Sequence, residues 1–83
     1  MSTRICLVRH GETAWNAERR LQGHTDIPLN ETGLAQARAT AASLATESFD
    51  AAYCSDLTRA RQTAEAIANS CGLAPGFDAS LRE

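Results

Sequence analysis

Two short clusters in this chain carry residues that could do chemistry. The first is Arg9-His10-Gly11-Glu12; the second is Ser55-Asp56-Leu57-Thr58-Arg59. Guanidinium forks match the oxygens of phosphate in pairs, so Arg9 and Arg59 together would make an anion site. A neutral imidazole nitrogen is a competent nucleophile toward phosphorus and forms a covalent intermediate. His10 would then attack while the two arginines offset charge on the equatorial phosphoryl oxygens. That division of labour leaves no task for a metal, and the reading includes neither metal nor cofactor. Gly11 would let the backbone come close to a ligand.

These clusters matter only if the fold brings them together. Ile5-Cys6-Leu7-Val8 is a short apolar run and reads as a strand buried on both faces. The segment from Thr13 to Arg20 reads as a short helix with Thr13 as its cap. Gly23, Asp26 and Pro28 make residues 22–29 a loop. Asn30 or Thr32 caps a long helix ending near Ser48, with Leu34, Ala37, Ala41, Leu44 and Ala45 on one face. A second strand covers Ala51-Ala52-Tyr53-Cys54. Ser55 caps the next helix, whose apolar stripe is Leu57, Ala60, Ala64, Ile67, Ala68 and Cys71. Gly72 terminates it, and residues 77–83 read as a third extended segment. Trp15 reads as a packing anchor and His24 as an exposed loop residue.

Strand, helix, strand, helix argues for an α/β fold with a parallel sheet. In such sheets ligands bind beyond the carboxyl ends of the strands, and both clusters fall at such ends. Neighbouring strands would make Arg9, His10 and Arg59 converge on one crevice. The amino terminus of the second long helix would add free N–H donors there.

Composition narrows the function classes. The chain has 83 residues and a formal net charge of −2, so it is no strongly basic nucleic-acid binder. All eight basic residues are Arg, which excludes lysine Schiff-base chemistry and a Walker A phosphate loop. The three cysteines form no C-x-x-C pair and read as reduced, mostly buried thiols, which points to a cytoplasmic protein. No segment has the length and apolarity of a membrane span. Sixteen residues are Ala, while Leu, Ile, Val and Phe number fourteen, a thin supply of large core side chains. At this length a chain folding alone buries only about 60% of its unfolded surface. More chain, or a partner for this piece to pack on, is therefore expected.

The same residues resemble the histidine phosphatase superfamily, which includes the cofactor-dependent phosphoglycerate mutases. Arg9-His10-Gly11-Glu12-Thr13 is similar to its signature, and Trp15-Asn16 follows at the family's spacing. Arg20-Leu21-Gln22-Gly23 resembles the next loop, and Leu29-Asn30-Glu31-Thr32-Gly33-Leu34-Ala35-Gln36-Ala37 the start of its first long helix. Ser55-Asp56-Leu57-Thr58-Arg59-Ala60 with Gln62-Thr63-Ala64 resembles the second phosphate-binding block, and Leu81-Arg82-Glu83 the segment carrying an acid. The resemblance implies a three-layer sandwich around a parallel sheet, of which residues 1–83 would be the amino-terminal strand-helix-strand-helix part of one domain, with no second domain. It implies that His10 is the phosphorylated nucleophile. Arg9 and Arg59 would hold the phosphoryl group, Asn16 would donate a further hydrogen bond, and Gln22 and Gly23 would border the substrate. Glu83 would be the general acid and then the base.

The family's second phosphate-binding histidine lies in a later block; this sequence has only His10 and His24, and His24 stands in the wrong loop. His24 after Gly23, and Leu81-Arg82-Glu83, resemble the phosphatase branch more than the mutases. The expected function is therefore a phosphomonoester hydrolase acting on a small phosphorylated metabolite, of the broad-specificity or α-ribazole-phosphatase kind. The alternatives are a phosphoglycerate mutase and a catalytically inactive phosphate-binding protein. No nucleic acid or membrane partner is expected, and homo-oligomerisation stays open.

Overall fold

The computed structural model describes residues 4–19 and 26–82. The elements are α1 (Ala14–Ala17), α2 (Glu31–Leu44), β1 (Tyr53–Cys54), α3 (Thr58–Ser70) and β2 (Gly76–Phe77), followed by a 3₁₀ turn, Ala79–Leu81. β1 and β2 pair in parallel, Tyr53 opposite Gly76 and Cys54 opposite Phe77. The connection between them is α3, the crossover that a parallel pair requires.

Each helix starts where its local chemistry dictates. Thr13 caps α1 in a capping box: its Oγ1 accepts from the Asn16 N–H at 3.1 Å, and Asn16 Oδ1 accepts from the Thr13 N–H at 3.1 Å. Of the two candidate caps for α2 it is Asn30 that serves, its Oδ1 accepting from the Gly33 N–H at 2.7 Å. The helix ends at Leu44, four residues before Ser48. Gly72 ends α3 as expected, with a φ of +72°. The Leu73 N–H reaches the Ala68 carbonyl at 2.8 Å and the Gly72 N–H reaches Asn69 at 3.3 Å, the bonding of a Schellman motif.

The α2–α3 contact is built from small residues. Ala37, Ala41 and Ala68 are buried, Leu34 and Leu44 are half-buried, and Ala45 is exposed. Small side chains let the backbones approach: Ser70 Oγ lies 3.3 Å from the Ala41 carbonyl, and Cys71 Sγ 3.7 Å from that of Leu44. The expected α3 stripe is only partly right. Leu57 and Ala68 are buried and Ala60, Ala64 and Ile67 are half-buried, but the polar Arg59 and Thr63 are buried as well. Periodicity found the α2-facing side of α3. It missed the side that receives the signature loop, because that side is polar.

Four expectations need correction. Ile5–Val8 does not form a strand: it has no backbone partner among the described residues, and Ile5 and Leu7 are 80% and 91% exposed. An apolar run states what a segment can bury, and no described element lies over this one. Ser55 does not cap α3; the cap position is Leu57, without a side-chain bond of its own, and Ser55 is buried just before it. The last segment is not extended throughout: beyond β2 and Asp78, Asp78 Oδ1 accepts from the Ser80 N–H at 2.9 Å and turns the chain into the 3₁₀ turn at Ala79–Leu81. Cys6 is exposed, while Cys54 and Cys71 are half-buried; all three are free thiols. Burial pushes the Cys54 thiol above its ordinary range, which favours the neutral form.

Trp15 is half-buried. No helix among the described residues is long and apolar enough to cross a membrane.

Candidate phosphate-binding and catalytic site

The signature loop is held from both sides. The Gly11 N–H donates to Thr63 Oγ1 at 3.1 Å, and that hydroxyl donates to the Arg59 carbonyl at 2.9 Å. The Glu12 N–H donates to Gln36 Oε1 at 2.8 Å, and the Glu12 carbonyl accepts from the Asn30 N–H at 3.0 Å. Asn30 Nδ2 also donates to Glu12 Oε1 at 3.0 Å. Thr13 and Leu29 form an antiparallel bridge, and the Leu29 N–H donates to Gln62 Oε1 at 2.8 Å. One loop thus joins the start of α2 to the first two turns of α3.

The two glycines at this crossing have a steric reason. A Cβ on Gly33 would lie 2.8 Å from the Glu12 nitrogen and 2.9 Å from its carbonyl carbon. A Cβ on Gly11 would lie 2.9 Å from the Gly33 Cα. Gly11 therefore serves close approach to another stretch of backbone, where the sequence reading had a ligand. Gly33→Ala sits in a helix, where the change ordinarily stabilises by about 1 kcal/mol. Here overpacking against backbone should reverse the sign and cost about 1–3 kcal/mol. Urea denaturation checks this; a raised midpoint would refute the close crossing.

His10 and Arg9 reach an open cleft of about 200 Å³ lined also by Gly11, Gln36, Ala37, Thr40 and Thr63. His10 Nδ1 lies 2.6 Å from the Gly11 carbonyl oxygen. A carbonyl can only accept, so Nδ1 carries the hydrogen. In the neutral ring Nε2 then holds the lone pair, the form a nucleophile needs. Arg59 does not line the cleft; its residue is 5% exposed, one helical turn before Thr63. Asn16 lies in α1, where its Oδ1 is committed to the Thr13 N–H, leaving the Nδ2 hydrogens as donors. Gln22, Gly23, His24 and Glu83 lie outside the described residues. Among those described, no three His, Cys, Asp or Glu residues stand close enough to hold a metal ion.

The amino terminus of α3 also departs from expectation. The Thr58 N–H is taken by Asp26 Oδ1 at 2.6 Å, and Thr58 Oγ1 donates to Asp26 Oδ2 at 2.9 Å. The chain's own carboxylate thus caps this helix from another loop, and that donor is not free for a ligand. The Thr58 N–H bond, with the hydroxyl bond second, holds Asp26 below the ordinary carboxyl value of 3.8. A lowered folded value means the stabilisation is complete above 3.8 and is lost as pH falls through that lower value. The Thr58 amide resonance should titrate with a midpoint below 3.8 and lose that titration in Asp26→Ala. A midpoint at or above 3.8 contradicts the cap.

Sequence reading missed Gln36, Thr40 and Asp26 as parts of this arrangement. Gln36 and Thr40 are four apart on α2 beside Ala37, so helical spacing could have revealed a polar edge along the apolar stripe. Asp26 had no such signal, being thirty-two residues from its partner.

His10 and Arg9 thus stand together at a cleft between α2 and α3 in a chain with an α/β fold. The profile of the histidine phosphatase superfamily (branch 1) matches residues 5–83, and the chain belongs to that family. It is 48% identical over 79 residues to a probable phosphoglycerate mutase GpmB of Yersinia pestis (strain Pestoides F), covering 95% of this chain and 37% of that relative. Among solved structures, a mycobacterial glucosyl-3-phosphoglycerate phosphatase superposes with a TM-score of 0.86 at 39% identity, covering 89% of this chain and 35% of the other. A putative α-ribazole-5′-P phosphatase of Escherichia coli K-12 gives 0.85 at 36% identity, covering 92% and 37%. The chain thus spans little more than a third of the length of these relatives, and it shares their fold over that span.

Proposed function

We propose that residues 1–83 form the amino-terminal part of one histidine phosphatase domain, and that the protein hydrolyses phosphomonoesters of a small metabolite through a phosphohistidine at His10. The observation that carries this reading is the Nδ1–Gly11 carbonyl bond, which leaves the Nε2 lone pair on an imidazole at the cleft beside Arg9. Nε2 attacks phosphorus while the ester P–O bond breaks. Glu83, as the acid, gives its proton to the leaving oxygen. The same carboxylate then takes a proton from water, which attacks phosphorus and breaks the P–N bond. Arg9 and Arg59 stabilise the phosphoryl oxygens, Asn16 donates a further hydrogen bond, and Gln22 and Gly23 border the substrate.

A second reading is supported by the 48% identity to a probable phosphoglycerate mutase. There the phosphohistidine passes its phosphoryl group to another hydroxyl of the substrate instead of water. Supplying 3-phosphoglycerate and separating the products distinguishes the two: free phosphate supports the hydrolase, the 2-isomer the mutase. Since arginine already supplies the positive charge, either activity should survive EDTA. Loss restored only by Mg²⁺ or Zn²⁺ counts against this mechanism.

A further inference from the structure

The segment that ends at Arg82 is tied to the start of α3 by a fork of two bonds. Arg82 Nε donates to Asp56 Oδ1 at 2.6 Å, and Nη2 donates to Oδ2 at 2.7 Å. The residues are twenty-six apart in sequence. One contact would let the guanidinium swivel; two parallel contacts set its plane and its distance. The side chains are 31% and 35% exposed. Ion pairs with that access to water contribute little to stability, so what this pair chiefly supplies is geometry.

The backbone leading to Arg82 is equally constrained. The Asp78 N–H donates to the Cys54 carbonyl at 2.9 Å, extending the parallel ladder past Phe77. Asp78 Oδ1 accepts from both the N–H and the hydroxyl of Ser80, at 2.9 and 2.8 Å. The Arg82 N–H closes the turn on the Ala79 carbonyl at 3.2 Å. Arg61 lies over the Phe77 ring, 4.6 Å from its centroid, adding a further tie between α3 and β2. The Arg82 fork holds the Asp56 carboxyl below its usual range, so the pair is charged at neutral pH.

The next residue after Arg82 is Glu83, one peptide unit or about 3.8 Å along the chain. We propose that Asp56 is a positioning residue: its fork with Arg82 fixes the backbone to which Glu83, the general acid of the proposed function, is joined. This inference rests on the reading of Glu83 as the acid. Asp56 touches no substrate in this scheme. Its effect reaches the reaction only through Arg82 and the peptide that follows.

The test compares leaving groups. Protonation by a general acid matters for a poor leaving group, an alkoxide, and little for nitrophenolate. Single-turnover phosphoenzyme formation is measured on the full chain with glycerol 2-phosphate and with p-nitrophenyl phosphate. Glu83→Gln should lower the alkyl-to-aryl rate ratio about 100-fold, the scale of general acid catalysis. Asp56→Ala should lower the same ratio about tenfold, a partial loss on that scale. The reversed pair, D56R with R82D, should bring it back to within about threefold of the parent. Asp56→Asn keeps the shape without the charge and gives the same readout if the alanine variant does not fold. If Glu83→Gln shifts the ratio and the Asp56 variants slow both substrates equally, the inference fails and Glu83 stands as the acid. If Glu83→Gln leaves the ratio unchanged, the reading of Glu83 fails and takes the inference with it.

Discussion

His10→Ala should abolish the covalent phosphoenzyme. Brief reaction of the parent protein with labelled substrate is expected to trap label that is lost in acid and kept in base, as a phosphoramidate behaves. The variant should trap none. His10 Nδ1 is bound to the Gly11 carbonyl at 2.6 Å, so only Nε2 is available to attack. His24, the other histidine in the sequence, should not substitute for it. His10→Gln removes the nucleophile while keeping a polar side chain of similar reach, and should trap none either. Undiminished label in both variants would end the phosphohistidine mechanism.

Arg59→Ala should damage turnover far more than Arg61→Ala. The two residues are neighbours on α3 with opposite surroundings. Arg59 is buried, with the Thr63 hydroxyl bonded to its carbonyl one turn on, and Thr63 also holds Gly11. Arg61 is two positions further, about 200° around the helix, exposed and stacked on Phe77. A charge-assisted phosphate contact that strengthens in the transition state is worth about 2–4 kcal/mol, or about 30- to 1000-fold in rate. Loss of Arg61 should cost activity less than about threefold, in line with an exposed cation–π contact of about 0.5–1 kcal/mol. Arg59→Lys separates the two consequences of the change, since it keeps the charge but loses the fork. Urea denaturation of each variant removes any part owed to stability. Equal kinetic losses at 59 and 61 would overturn the proposed contact between Arg59 and the phosphoryl group.

Much of the candidate site follows from local chemistry and so was readable along the chain. Thr13 and Asn30 cap helices because their short polar side chains reach N–H groups two or three residues away. Gly72 ends α3 because a positive φ is needed there. Ala37, Ala41 and Ala68 recur at helical spacing, and the helices meet along them. His10 with Arg9 could be singled out because residue type and neighbourhood alone suggest phosphoryl chemistry, and the family resemblance covers the same positions.

What depends on distant residues could not be read that way. Asp26 caps α3 across thirty-two residues, and Asp56 grips Arg82 across twenty-six. Gly11 and Gly33 are small because two backbones cross, a fact about the packing of a loop on a helix rather than about either glycine. Ile5–Val8 shows the same limit from the other side. Its apolar, β-branched residues have the composition of a buried strand, yet burial and pairing require neighbours. Hydrogen-bond partners and covering surface are properties of the assembled fold, and only the three-dimensional arrangement assigns them.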